Sequence, residues 1–242
     1  MNTGIDAATD TAFRDMVSGC VFQVSTPWER PDLWDRFLQG ALATYRHFGV
    51  ESALEYPGVR DDGTTSRFIV GMDTFGGLWG DVGGTAVAGV RVLGPYRDLS
   101  EVHALRAWAG RPGEREFRRV LAERLAEGVV EVKTGWVDRV RPGRGLGEAV
   151  ARCLVHAAGL QSVRYSVLTA SAHAITRFVD VGAVVDDAVD SVPYPDQRYR
   201  TVPLWLDTHT YQHRASARQA ALIADEQDQL GWSVGATGRG DV

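Results

Sequence analysis

The chain is poor in cysteine: two in 242 residues, Cys20 and Cys153, far apart in sequence. That excludes a disulfide framework and offers no ligand spacing for a structural metal, so no metal is expected. No apolar run is long enough to span a bilayer, and no membrane span is expected. The opening MNTGIDAATD is polar and acidic instead of basic and then apolar, so it does not read as a signal peptide, and a cytoplasmic protein is the expectation. Positive charge is not in excess: 26 Lys and Arg face 31 Asp and Glu, a formal net charge of −5. A nucleic-acid binder held by phosphate contacts is therefore not expected. Internal repeats are absent, and only the two ends read as segments of low order. What remains is a 44% hydrophobic chain of a length that suits one large core.

Asp32 reads as the cap of a helix over 33–48, whose apolar face is Leu33, Trp34, Phe37, Leu38, Ala41, Leu42 and Tyr45. Residues 51–65 read as a loop. Strands are expected over 66–73 and 86–93, a charged helix over 114–127, and a central strand over 129–140. A helix to about 158, a strand over 163–170 and a short helix over 172–181 follow. A closing strand pair is expected over 183–192 and 199–207, then helical character over 211–230. This order implies a mixed sheet with helices on both faces. No GxGxxG follows the first strand, which argues against a dinucleotide-binding half.

The stretch VVEVKTGWVDRVRPGRGLG, residues 129–147, carries the most chemistry. A β-branched strand runs into a glycine-rich turn and then into an amphipathic helix. The glycines allow close backbone approach, and the free N–H groups of the first helical turn point at whatever lies beyond it. Phosphate or pyrophosphate is the expected guest. Arg139, Arg141, Arg144 and Arg152 crowd this end and read either as partners of phosphate or of an acidic carrier, or as a solvated basic face. Glu131 interrupts the apolar run. A carboxylate there is costly unless paired or at a cleft, and burial suits it to accept a proton. An ordinary strand residue, or a salt bridge to Arg91 or Lys133, is the alternative. Simple alternation puts Glu131, Lys133, Gly135 and Val137 on one face.

Over roughly residues 66–206 the chain resembles the GNAT superfamily of acyl-CoA-dependent N-acyltransferases. Val140-Arg-Pro-Gly-Arg-Gly-Leu-Gly147 is similar to that family's pyrophosphate loop, one residue shorter before Arg144 and with Pro142 at a usually polar position. Ser171-Ala-His-Ala-Ile-Thr-Arg-Phe-Val-Asp-Val-Gly182 is similar to its second motif, with Ser171 for Asn, Phe178 for Tyr and Ala183 for Phe. SRFIVGMD and AVAGVRVLGP resemble paired strands of the autoinducer synthases and N-acyl amino acid synthases, Arg91 standing at their arginine and Glu131 near their strand glutamate. Asp61 and Asp62 are the counterparts offered for their upstream acidic residues.

The resemblance implies an α/β (α+β) fold with a mixed, mostly antiparallel central sheet. An N-terminal helical extension over 1–50, an acyltransferase core over 51–208 and a C-terminal helix and tail over 209–242 complete it. It implies an N-acyltransferase moving an acyl group, medium or long, from acyl-CoA or an acyl-phosphopantetheine on acyl carrier protein to a small-molecule or peptide amine, that of an amino acid, a peptide or a small metabolite, by direct attack. An acetyl-CoA-dependent N-acetyltransferase and a noncatalytic CoA-binding module are the alternatives. The oligomeric state is left open. Catalysis is assigned to Glu131 as base and to the Val137 N–H as oxyanion donor, beside a strand bulge for which Gly135 is suited. Val140, Arg141, Arg144, Gly145, Leu146, Gly147 and Phe178 are assigned to the cosubstrate, and Arg91 and Trp136 to the substrate. Phe178 cannot act as an acid, for which His173 and Tyr194 are substitutes. Trp28, Trp34, Phe37, Phe75 and Trp79 read as core or as the lining of an acyl or acceptor pocket.

Overall fold

The computed structural model describes residues 11–61, 63–73, 84–139 and 145–232. Strands β1 (Ala12–Arg14) and β2 (Val21–Ser25) precede helix α1 (Pro31–His47), a 3₁₀ turn at Glu51–Leu54 and a short α2 (Tyr56–Asp61). Strands β3 (Thr65–Asp73) and β4 (Thr85–Leu93) follow, then α3 (Leu105–Trp108), α4 (Glu114–Leu125) and β5 (Val129–Val137). The rest alternates: α5 (Leu146–Gly159), β6 (Tyr165–Ser171), α6 (Ala172–Asp180), β7 (Val184–Val185), β8 (Thr201–Asp207) and α7 (Ala217–Leu230).

All eight strands join one sheet in the order β1-β2-β3-β4-β5-β6-β8-β7. Every pairing is antiparallel except β5 with β6. The mixed, mostly antiparallel sheet with helices on both faces is thus as the sequence implied. One face packs on α5, through Val90, Val92, Val130 and Val132 against Ala149, Val150, Cys153 and Leu154. The other carries α1, through Phe37 and Trp34, and the α3–α4 segment, through Trp108, Phe117 and Leu121.

Four local expectations change, the strand expected over 183–192 among them. Helix α1 starts at Pro31, whose fixed φ and missing N–H suit a first turn. Its N-cap is Arg30, and Asp32 pairs with the Arg30 guanidinium at 3.0 Å instead of capping. The presumed loop 51–65 holds the 3₁₀ turn and α2, because Leu54 and Val59 bury in the α1 cluster. Residues 12–25, read as part of a helical extension, contain two strands. Their inward Phe13 and Phe22 stack at 5.1 Å between ring centres, but three and five residues are too few for alternation to stand out. At the other end β7 is two residues long, and Val192 makes only a bridge to Thr201. Val140, Arg141, Pro142, Arg144, Asp62, Phe75 and Trp79 lie outside the described residues, as do residues 1–10 and the tail beyond 232.

Candidate active site

The site is built around an irregularity in β5. Arg91 lies opposite Lys133 and Gly89 opposite Trp136, so three steps along β5 match two along β4. The extra residue is a bulge, and Thr134 takes it up with φ 54°. Thr134 is thus the bulge residue, where Gly135 was expected. The bulge also changes which way the side chains point. Lys133 and Thr134 both face α1 and α3: Thr134 Oγ1 accepts from Arg91 Nε at 3.0 Å, and Lys133 Nζ lies 3.3 Å from His103 Nδ1. Gly135 faces α5, where an added Cβ would lie 3.6 Å from Val150. Trp136 returns to the α1 side and Val137 packs on the α5 side. The expectation of one shared face for Glu131, Lys133, Gly135 and Val137 is therefore corrected: Glu131 and Lys133 are on one side, Gly135 and Val137 on the other.

Beyond the bulge β5 leaves its parallel neighbour. Pairing with β6 runs only through Val129↔Tyr165, Val130↔Ser166 and Glu131↔Val167, although both strands continue. A wedge opens after Glu131, and Gly135 is exposed although it lies in a central strand. The Asp138 N–H donates to Val87 O at 2.7 Å. Hydrogen-bond direction alternates along an antiparallel strand, so the amide of Val137 turns away from β4, toward the wedge.

Glu131 sits at the apex of the wedge and is 2% exposed. Its Oε2 accepts from the Tyr96 hydroxyl at 2.8 Å and from the Ala104 N–H at 2.9 Å. Burial and the adjacent Glu131 carboxylate raise the Tyr96 hydroxyl far above the ordinary phenol range, so it stays a donor. Arg91 is fully buried and also donates to Thr65 Oγ1 at 3.2 Å. Burial, then the charges of Lys133, Arg106 and Arg91, depress His103 to about 4. Burial lowers Lys133 and raises Tyr194 from their ordinary values, and pushes Tyr45, bonded to Thr134, up to about 12. Glu55 closes this polar group at its rim, 3.9 Å from His103 and 3.8 Å from Arg106, on a left-handed backbone with φ 53°. Trp136 lies in the aromatic cluster of α1, edge-on to Phe37 at 6.1 Å, and its ring fills the notch over Gly40. Trp34 and Phe37 are buried in the same cluster, whereas Trp28 is exposed.

Helix α5 begins across the wedge. Gly145 caps it with φ 71°, a conformation L side chains rarely adopt, and Leu146 buries its side chain in the core. Gly147 lies under Arg177 of α6, whose Nε is 3.0 Å from where a Cβ would stand. This exposed arginine beside the helix start was missed in the sequence, where it lies inside the second motif but at an unremarkable position. Phe178 is half-buried against the α5 side of the sheet. The Ser171 hydroxyl bonds its near neighbour His173 at 2.9 Å.

Two of the arginines read beside the turn behave differently. Arg139 is exposed and stacks over Phe48 at 5.8 Å. Arg152 is fully buried and is not available to a ligand: it pairs with Asp15 at 2.6 Å, with Glu226 at 2.8 Å and with Gln219 at 2.9 Å. The reading of Arg152 as a phosphate or carrier partner is corrected accordingly. Among the described residues no group of three or more His, Cys, Asp or Glu could hold a metal, and no helix is long and apolar enough to cross a membrane.

No family model matches the chain. It is 36% identical over 212 residues to the uncharacterized proteins Rv1356c of Mycobacterium tuberculosis and Mb1391c of Mycobacterium bovis, covering 87% of this chain and 78% of theirs. Among solved structures it is similar to FeeM, an N-acyl amino acid synthase from uncultured soil microbes, with a TM-score of 0.58 at 11% identity over 83% of this chain and 96% of that one. It is similar to BjaI, a CoA-dependent acyl-homoserine lactone synthase solved with SAM and isopentyl-CoA, with a TM-score of 0.54 at 13% identity over 89% and 92%. An acyl-CoA N-acyltransferase from Pseudomonas aeruginosa gives a TM-score of 0.50 at 15% identity over 77% and 98%.

Proposed function

We propose that this chain, which belongs to one family with these mycobacterial proteins and is built on the GNAT fold, is an N-acyltransferase. The observation that carries the reading is the wedge between β5 and β6, with the Val137 amide turned into it, Glu131 at its apex and the N-terminus of α5 across it. A thioester lying in the wedge places its carbonyl oxygen against the Val137 N–H, where negative charge develops during attack. The acceptor amine enters from the α1 face and forms the C–N bond while the C–S bond breaks. Glu131 takes the ammonium proton, directly or through water, and the thiolate departs on the α5 side. Phe178 supplies no proton, and a pantetheine thiolate leaves well without one. Most of the rate effect comes from holding amine and thioester together.

The donor's phosphates are read onto Gly145, Gly147 and the N–H groups of the first turn of α5, with Arg177 beside them. Val140, Arg141 and Arg144 keep that assignment as a proposal from the motif alone. Coenzyme A and acyl carrier protein present the same phosphopantetheine arm. The exposed Arg139 and Arg177 give a carrier's acidic surface basic partners. A medium or long acyl chain is read into the aromatic side. The acetyl reading has one observation in its favour: the Trp136 ring fills the notch at Gly40, which closes the α1 cluster.

The test offers the purified protein acyl-CoA donors from acetyl to long-chain with a mixture of amines, and measures thiol release and amide products by mass spectrometry. Amide formation dependent on Glu131 supports the reading, and the favoured donor chooses the chain length. Tight donor binding with no product from any amine would instead make the chain a noncatalytic binding module.

A further inference from the structure

One residue of β5 stands in a conformation its chemistry disfavours. Thr134 takes up the bulge at φ 54°, and a β-branched residue is strained there. Gly135 beside it could adopt that backbone without strain, yet its own φ is not positive. What the threonine has and the glycine lacks is a hydroxyl, and the fold uses it fully. Thr134 is buried. Its Oγ1 accepts from Arg91 Nε at 3.0 Å and bonds the Tyr45 hydroxyl of α1. Arg91 is itself buried and is anchored at the start of β3, donating to Thr65 Oγ1 at 3.2 Å and to Thr64 Oγ1 at 3.4 Å. Three elements, α1, β3 and β4, thus hold one hydroxyl of β5.

The bulge decides which amide of β5 is left over. The pairs Leu93↔Glu131, Val92↔Val132 and Arg91↔Lys133 set the register before it. Continued without the extra residue, that register puts Val137 opposite Val87, because each step along β5 then meets one step along β4. Val87 O accepts from β5, as its bond from the Asp138 N–H shows. A flat strand therefore gives that carbonyl the Val137 N–H, and the Val137 amide is lost to the ladder. With the bulge the partner of Val137 is Ala88, the Asp138 N–H takes Val87 O at 2.7 Å, and the Val137 N–H turns to the wedge. We infer that Thr134, pinned by Arg91 and Tyr45, is a positioning residue: it holds β5 in the bulged register and so leaves the Val137 N–H to the reacting carbonyl. Arg91 serves the reaction through Thr134 and does not touch the substrate. The inference rests on the acyltransferase reading for its effect on rate, and its effect on register stands apart from that reading.

The experiment compares the wild-type chain with Thr134→Val, which keeps the shape and drops the hydroxyl, and with Thr134→Ser, which keeps the hydroxyl. Hydrogen–deuterium exchange resolved by NMR follows the Val137 and Asp138 amides with no ligand added. In the wild type the Asp138 amide is expected to be protected and the Val137 amide to exchange fast. Thr134→Val reverses the two, and Thr134→Ser restores the wild-type order. Kinetics use the acyl-CoA and amine that the wild type turns over fastest. There kcat and kcat/KM for the acyl-CoA fall together in Thr134→Val by about 10²-fold, the worth of one oxyanion donor, and recover in Thr134→Ser. A threonine that only stabilises the fold lowers the melting temperature and leaves the exchange order and kcat where they were, and that result overturns the inference. Reversed exchange with unchanged kcat overturns it as well, while leaving acyl transfer intact. If the wild type acylates no amine, the acyltransferase reading fails and exchange alone decides. Reversal in Thr134→Val then supports Thr134 as the holder of the bulge, and an unchanged order overturns it. Should Thr134→Val fail to fold by circular dichroism, Thr134→Ala takes its place, with the same reversal expected.

Discussion

Glu131, Trp136 and His103 each give a prediction that a single substitution tests. Glu131→Gln keeps an oxygen for Tyr96 and Ala104 but cannot take a proton. It should lower kcat by roughly 10²- to 10⁴-fold, the usual worth of a general base, with donor affinity unchanged in calorimetry. An unchanged kcat would remove Glu131 from the mechanism. Trp136→Ala empties the notch at Gly40. It should cost about 3–5 kcal/mol in chemical denaturation and shift donor preference toward longer chains. His103 is held near 4 in the fold against 6.5 for a free imidazole. The unfolded chain therefore binds its proton first, and stability falls as pH drops from 6.5 toward 4 and then levels. At about 1.4 kcal/mol per pH unit the loss is roughly 3 kcal/mol, and denaturant melts at pH 7 and pH 4 should show it in the wild type but not in His103→Leu. Glu131 and Arg91 were legible in the sequence because a charge inside an apolar run is conspicuous. His103 and Lys133 were not legible as a pair: alternation puts Lys133 on the face of Glu131, but His103 sits in an irregular segment 30 positions away with no period to place it.

Elements of eight residues or more were placed well by periodicity, since burial repeats often enough along them to be counted. What the pattern could not carry was the change of face inside β5. A strand with a bulge keeps its composition and loses its period, so a two-residue alternation drawn through Thr134 fails beyond it. The donor turn makes a related point about glycine. At Gly145 a side chain meets both a positive φ and Val17 Cγ1 at 2.7 Å. Gly145→Ala should therefore weaken donor binding and also cost about 1–2 kcal/mol of stability, which makes any larger residue there a poor probe of binding alone. Gly147 is helical, and its Cβ would meet only the flexible end of Arg177. Gly147→Ala should raise the donor KM several-fold by displacing that guanidinium while leaving thermal stability equal or slightly higher. Equal donor KM values for Gly147→Ala and wild type would argue against Arg177 as a phosphate partner.

Across the whole molecule the least legible feature is the buried ion network, because its members are far apart in the chain. Arg152 meets Asp15 across 137 positions and Glu226 across 74, and His156 meets the same Glu226 at 2.8 Å. No local pattern distinguishes such an arginine from its solvated neighbours. The network ties α5 to the β1–β2 turn, which lays Val17 on Gly145, and to α7, whose Gln229 also bonds the backbone of β1. Arg152→Met leaves Asp15 and Glu226 buried without a cation and should lower stability by about 3–5 kcal/mol in thermal or denaturant unfolding. Combining it with Asp15→Asn and Glu226→Gln should return part of that loss, since the uncompensated charges go as well. The same connection has a consequence in time. A ribosome adds about 5–20 residues per second, so Arg152 waits roughly 4–15 s for Glu226 to be made. During that interval the nascent helix α5 has Asp15 against its buried cation but not yet Glu226. The network behind α5 therefore closes fully only when α7 emerges, and a chain released early is left with that cation half-paired.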